Sequence, residues 1–132
     1  MGDLAVLTGR VVPGRQRGRD LGFPTANLEP GGTVARELIG AVYAARARWE
    51  EGSWRQAVVN IGARPTFGEG GCSVEVHLLD FGGDLYGRSL EVALVARLRS
   101  ERRFGDAGEL VAQVNKDIVE ARAVLAREAG RP

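Results

Sequence analysis

SVEVHLLDFGGDLYGRSLEVALVARL, residues 73–98, holds two apolar runs whose period decides the fold. In the first, Val74, Val76 and Leu78 alternate with Glu75, His77 and Leu79. In the second, Leu90, Val92, Leu94, Ala96 and Leu98 fall on every second position. A period of two is that of a strand with one buried face. The linker GGDLYG is too short for a helix and suits a connection between antiparallel neighbours. Working outward, LAVLTGRVV, GAVYAARARW and QAVVNIG are runs of the same kind, and EEGS can turn one ribbon into the next. No helix-length segment separates these runs, which argues against a parallel sheet with crossover helices. Five or six short antiparallel strands hide their edges by closing, and a barrel is the expected form.

The period changes once, after Phe104. From Asp106, DAGELVAQVNKDIVEARAVLAREA places Leu110, Val114, Ile118, Ala121 and Leu125 at spacings of three and four. Asp106 and Glu109 form a capping box. This predicts a terminal amphipathic helix whose apolar stripe packs on the outside of the barrel.

The 132 residues fit a single domain, 1–132, and 44% hydrophobic content supplies one core. The net charge of +1 comes from 18 basic and 17 acidic residues spread along the chain. No electrostatic footprint for nucleic acid or a membrane surface results. All the basic residues but Lys116 are arginine, which a GC-rich genome explains as readily as function does. Cys72 is alone and His77 is the one histidine, which excludes an intramolecular disulfide and disfavours zinc. A reducing compartment is the simplest setting. Nothing approaches the roughly 18 consecutive apolar residues of a membrane span, and the N-terminus does not read as a signal peptide. The expectation is a soluble cytoplasmic protein.

Chemistry concentrates in GRVVPGRQRGRDLGFPTANLEP, residues 9–30. Gly14 and Gly18 let backbone N–H groups approach an anion, and Arg15, Arg17 and Arg19 can neutralise it. Glycines in a hairpin turn and surface arginines are the plain alternative. Pro24 fixes its own backbone and biases Phe23 toward extension, so Thr25 and Asn27 project from one side of the chain. A hydroxyl and an amide oxygen so placed can hold a hard cation such as Mg²⁺. They can equally bond backbone in a turn. A P-loop is excluded, because Lys116 lies in the terminal helix and no GxxxxGK[ST] pattern exists.

Glu75, set in an apolar strand, is the candidate general base; on the other reading it and His77 lie on the solvent face. Cys72 has no activating partner at any readable spacing. Asn60 ends a strand leading into NIGARPTFG, which reads as a structural corner. Arg97, Arg99, Arg102 and Arg103 precede Phe104 where the sheet gives way to the helix, a junction whose loop could cover a ligand.

Together GRVVPGRQRGRDLGFPTANL, GAVYAARA, NIGARPTFG, VEVHLLDFGGDLYGRSLEV and LRSERRF with the following helix resemble the riboflavin kinase domain over nearly the whole chain, from about Thr8 to Leu125. The resemblance implies a mainly β fold, a six-stranded antiparallel Greek-key barrel with a C-terminal helix. It implies transfer of the ATP γ-phosphoryl group to the 5′-hydroxyl of riboflavin, giving FMN and ADP; a flavin- or nucleotide-binding module without turnover is the alternative. Thr25 and Asn27 match the pair that binds Mg²⁺, or another divalent cation, and nucleotide phosphate. Glu75 matches the catalytic base. Gly14 to Asp20 matches the flap over ATP, which brings in Gly14, Arg15, Gly18 and Arg19, with Pro24 beside them. Arg99 matches an arginine of the loop that closes over riboflavin, and Phe104 and His77 are further candidate flavin contacts. Ser100, where Pro or Asp is frequent, and Ala41 depart mildly from the family pattern. Members of the family are often fused to an adenylyltransferase that makes FAD. No HxGH-like signature stands in these 132 residues, so the expected product is FMN, made by a monomer or by a domain joined to such a partner.

Overall fold

The computed structural model describes residues 3–12, 25–63 and 72–129. Six strands lie in it: β1 (Ala5–Val12), β2 (Ala26–Pro30), β3 (Ala41–Arg48), β4 (Arg55–Ala63), β5 (Cys72–Leu78) and β6 (Ser89–Ser100). A 3₁₀ turn, Arg36–Leu38, precedes β3, and one long helix, α1 (Ala107–Ala129), follows β6. The strands close into a barrel in the order β1-β2-β5-β4-β3-β6, every pair antiparallel. Closure leaves no unpaired edge, the physical reason a chain of short strands adopts it.

Alternation fills the barrel. Leu7, Val11, Leu28, Tyr43, Val59, Ile61, Val74, Val76, Leu90, Val92 and Leu94 point inward and form one apolar core. The Tyr43 hydroxyl satisfies itself by donating to the Leu38 carbonyl at 2.7 Å. Gly9 is required where β1 crosses close to β2, because a Cβ there would lie 2.2 Å from the Glu29 carbonyl oxygen.

Two expectations are corrected. β5 and β6 are consecutive but not neighbours: β6 pairs with β1 and β3, and the GGDLYG linker spans an end of the barrel instead of turning a hairpin. Nor does period two run the length of β6. Opposite β3 the register shifts twice, Ala45↔Leu94 giving way to Ala44↔Ala96 and Tyr43↔Arg97 to Val42↔Arg99. Each shift inserts one extra β6 residue, Val95 and then Leu98. A bulge breaks the alternation. Leu90, Val92 and Leu94 therefore fill the barrel, while Leu98 joins Val95 outside it against α1.

The helix lies on the outer face of β3, β4 and β6. Ala44 of β3 and Ala121 of α1, both fully buried, let the two backbones approach, and Leu125 fills the space beside them with Val58, Val95, Leu98 and Val124. The Asp106 carboxylate accepts the Glu109 N–H at 2.8 Å, the first half of the expected cap. The reciprocal bond falls one residue early, from the Gly105 N–H to the Glu109 carboxylate at 2.7 Å. Toward the other end Arg46 donates to the Leu125 carbonyl at 3.0 Å, tying the last turns of the helix to β3. Leu110, Val114 and Ile118 are half-buried, and Asp117, in the middle of that stripe, is buried.

Candidate active site

The chemistry-bearing residues are brought together by register. Inside the barrel, Leu28, Val74, Val76, Val59 and Ile61 fix which way β2, β5 and β4 face. The residues between them point out. Asn27 of β2 stands opposite Glu75 of β5, and Glu75 stands opposite Asn60 of β4. The row continues through Val42 on β3 to Arg99 on β6. Directly opposed residues of antiparallel strands hold their Cβ atoms roughly 4.5–5.5 Å apart, so Asn27 and Glu75 side chains share one small volume on the barrel's outer wall.

Asn27, Glu75 and Asn60 are half-buried, which separates Glu75 from a freely solvated strand residue. Glu75 also engages a neighbouring group. Thr25, half-buried, immediately precedes β2 on the same side as Asn27. Among the described residues no three of His, Cys, Asp and Glu gather as a metal cage. The oxygen donors here are instead neutral, one hydroxyl and one amide, with a carboxylate across the strand pair. That set suits a hard cation which keeps several waters and completes its shell on a phosphate-bearing substrate, and Mg²⁺ fits it.

Asn60 lies within β4, three residues before its end, rather than ending the strand as expected, and the corner after Ala63 lies outside the described residues. Its Oδ1 is buried with no hydrogen-bond partner among the described residues. Such orphans are rare in folded proteins and concentrate where function requires them. His77 follows Glu75 on the same outer face, opposite Val58. Burial, and after it the Arg122 guanidinium, holds its imidazole below the ordinary value of 6.5, so it is neutral at pH 7. The Cys72 thiol is pushed up by burial, the wrong direction for a nucleophile.

Arg99 belongs to β6 rather than to a loop. Its Nε and Nη2 donate to the two carboxylate oxygens of Asp117 on α1, each at 2.8 Å. Phe104, half-buried after β6, carries the Arg102 guanidinium 4.8 Å and the Arg99 guanidinium 5.9 Å from its ring centre. Asp117 escaped the sequence reading; the signal was its place in the apolar stripe, three residues after Val114 and four before Ala121. Gly14, Arg15, Gly18, Arg19 and Pro24 lie outside the described residues.

Comparison with known proteins bears on this geometry. The family model described as Flavokinase, riboflavin kinase, matches residues 1–125. The bifunctional riboflavin kinase/FMN adenylyltransferase of Pseudomonas fluorescens is 42% identical over 126 residues, covering 95% of this chain and 40% of that protein. Crystal structures of riboflavin kinase from Trypanosoma brucei and of a macrolide-efflux protein from Streptococcus pneumoniae superpose with TM-scores of 0.65 and 0.79 at 25% and 30% identity. They are covered over 79% and 38% of their lengths, and cover 92% and 89% of this chain, respectively. The chain thus spans about two fifths of the bifunctional relative's length. It belongs to the riboflavin kinase family.

Proposed function

We propose that this member of the riboflavin kinase family transfers the γ-phosphoryl group of ATP to the 5′-hydroxyl of riboflavin, giving FMN and ADP. The observation that carries the reading is the pairing of Asn27 with Glu75 across β2 and β5, in a chain whose family model covers residues 1–125. A binding module needs cation and phosphate ligands but has no use for a carboxylate set directly beside them.

Phosphoryl transfer asks a protein chiefly to align reactants and stabilise charge. Thr25 and Asn27 would hold Mg²⁺, which would neutralise charge on the nucleotide phosphates. Glu75, fixed by β5 between two inward valines, receives or orients the proton of the ribityl hydroxyl. The strand pair sets the separation between phosphate and hydroxyl, and the rigid wall of a closed barrel keeps it. The half-buried setting strengthens these polar interactions relative to water. By the family resemblance Gly14, Arg15, Gly18, Arg19 and Pro24 are the candidate ATP contacts, and the flavin ring would lie toward Arg99 and Phe104, with His77 a further flavin contact.

Incubating the protein with riboflavin, ATP and Mg²⁺, with and without excess EDTA, and separating the flavins chromatographically tests this. FMN forms only with free Mg²⁺. Glu75→Gln lowers kcat by roughly 10²–10⁴, the usual contribution of a general base, and Asn27→Ala reduces FMN to background. Riboflavin binding without FMN in the unaltered protein would instead establish a binding module.

A further inference from the structure

We propose that Asp117 is a positioning residue for the flavin end of the site, acting through Arg99 and Phe104. The inference rests on the functional reading above and extends it to a residue of the helix.

Asp117 is 4% exposed and occupies a position of α1 that the stripe spacing reserves for an apolar side chain. Replacing a buried ion pair by well-packed apolar groups is often neutral or stabilising, so a brace alone does not require a carboxylate here. What the carboxylate does is organise the segment beyond it. Both oxygens hold the fork of Arg99, and Oδ1 also accepts from Gln113 Nε2 at 2.9 Å. The Gln113 oxygen then accepts from Arg102 at 3.2 Å. Arg102 and Arg99 are the two cations flanking the Phe104 ring. One buried acid thereby fixes, directly or through Gln113, both guanidinium groups beside the one aromatic ring of the junction.

The chemistry of the ligand follows from the charge. Arg99 is paired bidentately with Asp117 and its Nη1 donates to the Ser100 carbonyl at 3.0 Å, leaving the rest of its outer edge oriented, partly accessible at 20% side-chain exposure, and neutralised. Such an edge offers N–H donors and a planar surface without net charge. It suits the carbonyl and ring-nitrogen acceptors of an uncharged heterocycle better than a phosphate. Phosphate binding thus stays at the Asn27 end of the row and ring binding at the Arg99 end.

The test combines Asp117→Asn, Arg99→Met and the pair Arg99→Met/Asp117→Leu with separate KM values for riboflavin and ATP, flavin binding by fluorescence quenching without ATP, and melting temperature. FMN formation by the unaltered protein is the control for the underlying reading. Asp117→Asn is expected to raise the riboflavin KM and Kd about tenfold, the loss of one charge-assisted interaction, with the ATP KM unchanged. Added to Arg99→Met it should raise them no further, because it acts through Arg99. The apolar pair should melt like the unaltered protein yet retain the weakened flavin binding. If the unaltered protein makes FMN and the well-folded apolar pair binds riboflavin normally, Asp117 is only a brace and the inference falls. No riboflavin binding by the unaltered protein would remove the functional reading and this inference together.

Discussion

His77 ties stability to pH through one side chain. Burial first, and Arg122 second, lower its pKa below 6.5, so the unfolded chain binds a proton more readily than the folded one. The stability this contributes is fully present above pH 6.5 and is lost as pH falls from there toward the lower folded value. Asp80 acts in a different window: its hydrogen bond and charge pairing with Arg122 hold its carboxyl below 3.8, so that contribution persists until pH falls beneath that value. Denaturant midpoints measured downward from about pH 7.5 should therefore decline first in a limb that His77→Asn flattens; an unchanged limb in that variant would assign it elsewhere. At this scale the sequence exposed Thr25, Asn27 and Glu75 as chemically competent groups. It could not show that Asn27 and Glu75 face one another, because cross-strand register depends on residues far apart in the chain. Asp117 was harder still. A lone acid on a helix resembles a solvated one until the partner from β6 is placed against it.

At the scale of the element, α1 was legible because its two signals are local, a spacing of three and four and a cap at Asp106. Its placement rests on few large contacts. Leu125 is fully buried against β3 and its neighbours, and Leu125→Ala should cost about 2–5 kcal/mol, read as a lower denaturant midpoint at unchanged slope. Asp106→Ala, which removes the 2.8 Å bond to the Glu109 N–H, should cost less, about 0.5–2 kcal/mol. A larger loss from Asp106 than from Leu125 would mean that capping, not packing, holds the helix to the barrel. β6 shows why strands are less legible than helices. Its residues alternate faithfully in sequence, but the bulges at Val95 and Leu98 arise from the fit of β6 to β3, so local periodicity mistook Leu98 for a core residue. The same bulges turn Val95 and Leu98 toward the helix, so the departure from alternation creates the seat of α1.

The whole molecule is one closed circuit, and the site exists only when the circuit is closed. β1, near the start of the chain, pairs with β6, in the register Ala5↔Leu94 through Arg10↔Ser89. β2, in turn, reaches past β3 and β4 in sequence to pair with β5. Both pairings join residues far apart in the chain, the first across most of its length, and their loop-closure entropy must be met before burial rewards it. Folding should accordingly proceed on the millisecond-to-second timescale of non-local β proteins, observable by stopped-flow fluorescence of Trp49, which packs against the core. Asn60 and Glu75 meet in the local β4–β5 pair, but Asn27 joins them only through the non-local β2–β5 pairing, so the row is complete only after closure. The helix is coupled to it through the fork between Arg99 and Asp117, whose β6 partner ends that row. Unfolding followed by far-ultraviolet circular dichroism, by Trp fluorescence and by loss of flavin binding should therefore give coincident transitions in the unaltered protein. In Asp117→Asn the coupling is weakened at its buried ion pair, and flavin binding should be lost at lower denaturant than the barrel. Coincident transitions in that variant would mean that the remaining contacts, the apolar seat of Ala44, Ala121 and Leu125 with the Arg122–Asp80 pair, suffice to hold the helix in register with the barrel wall.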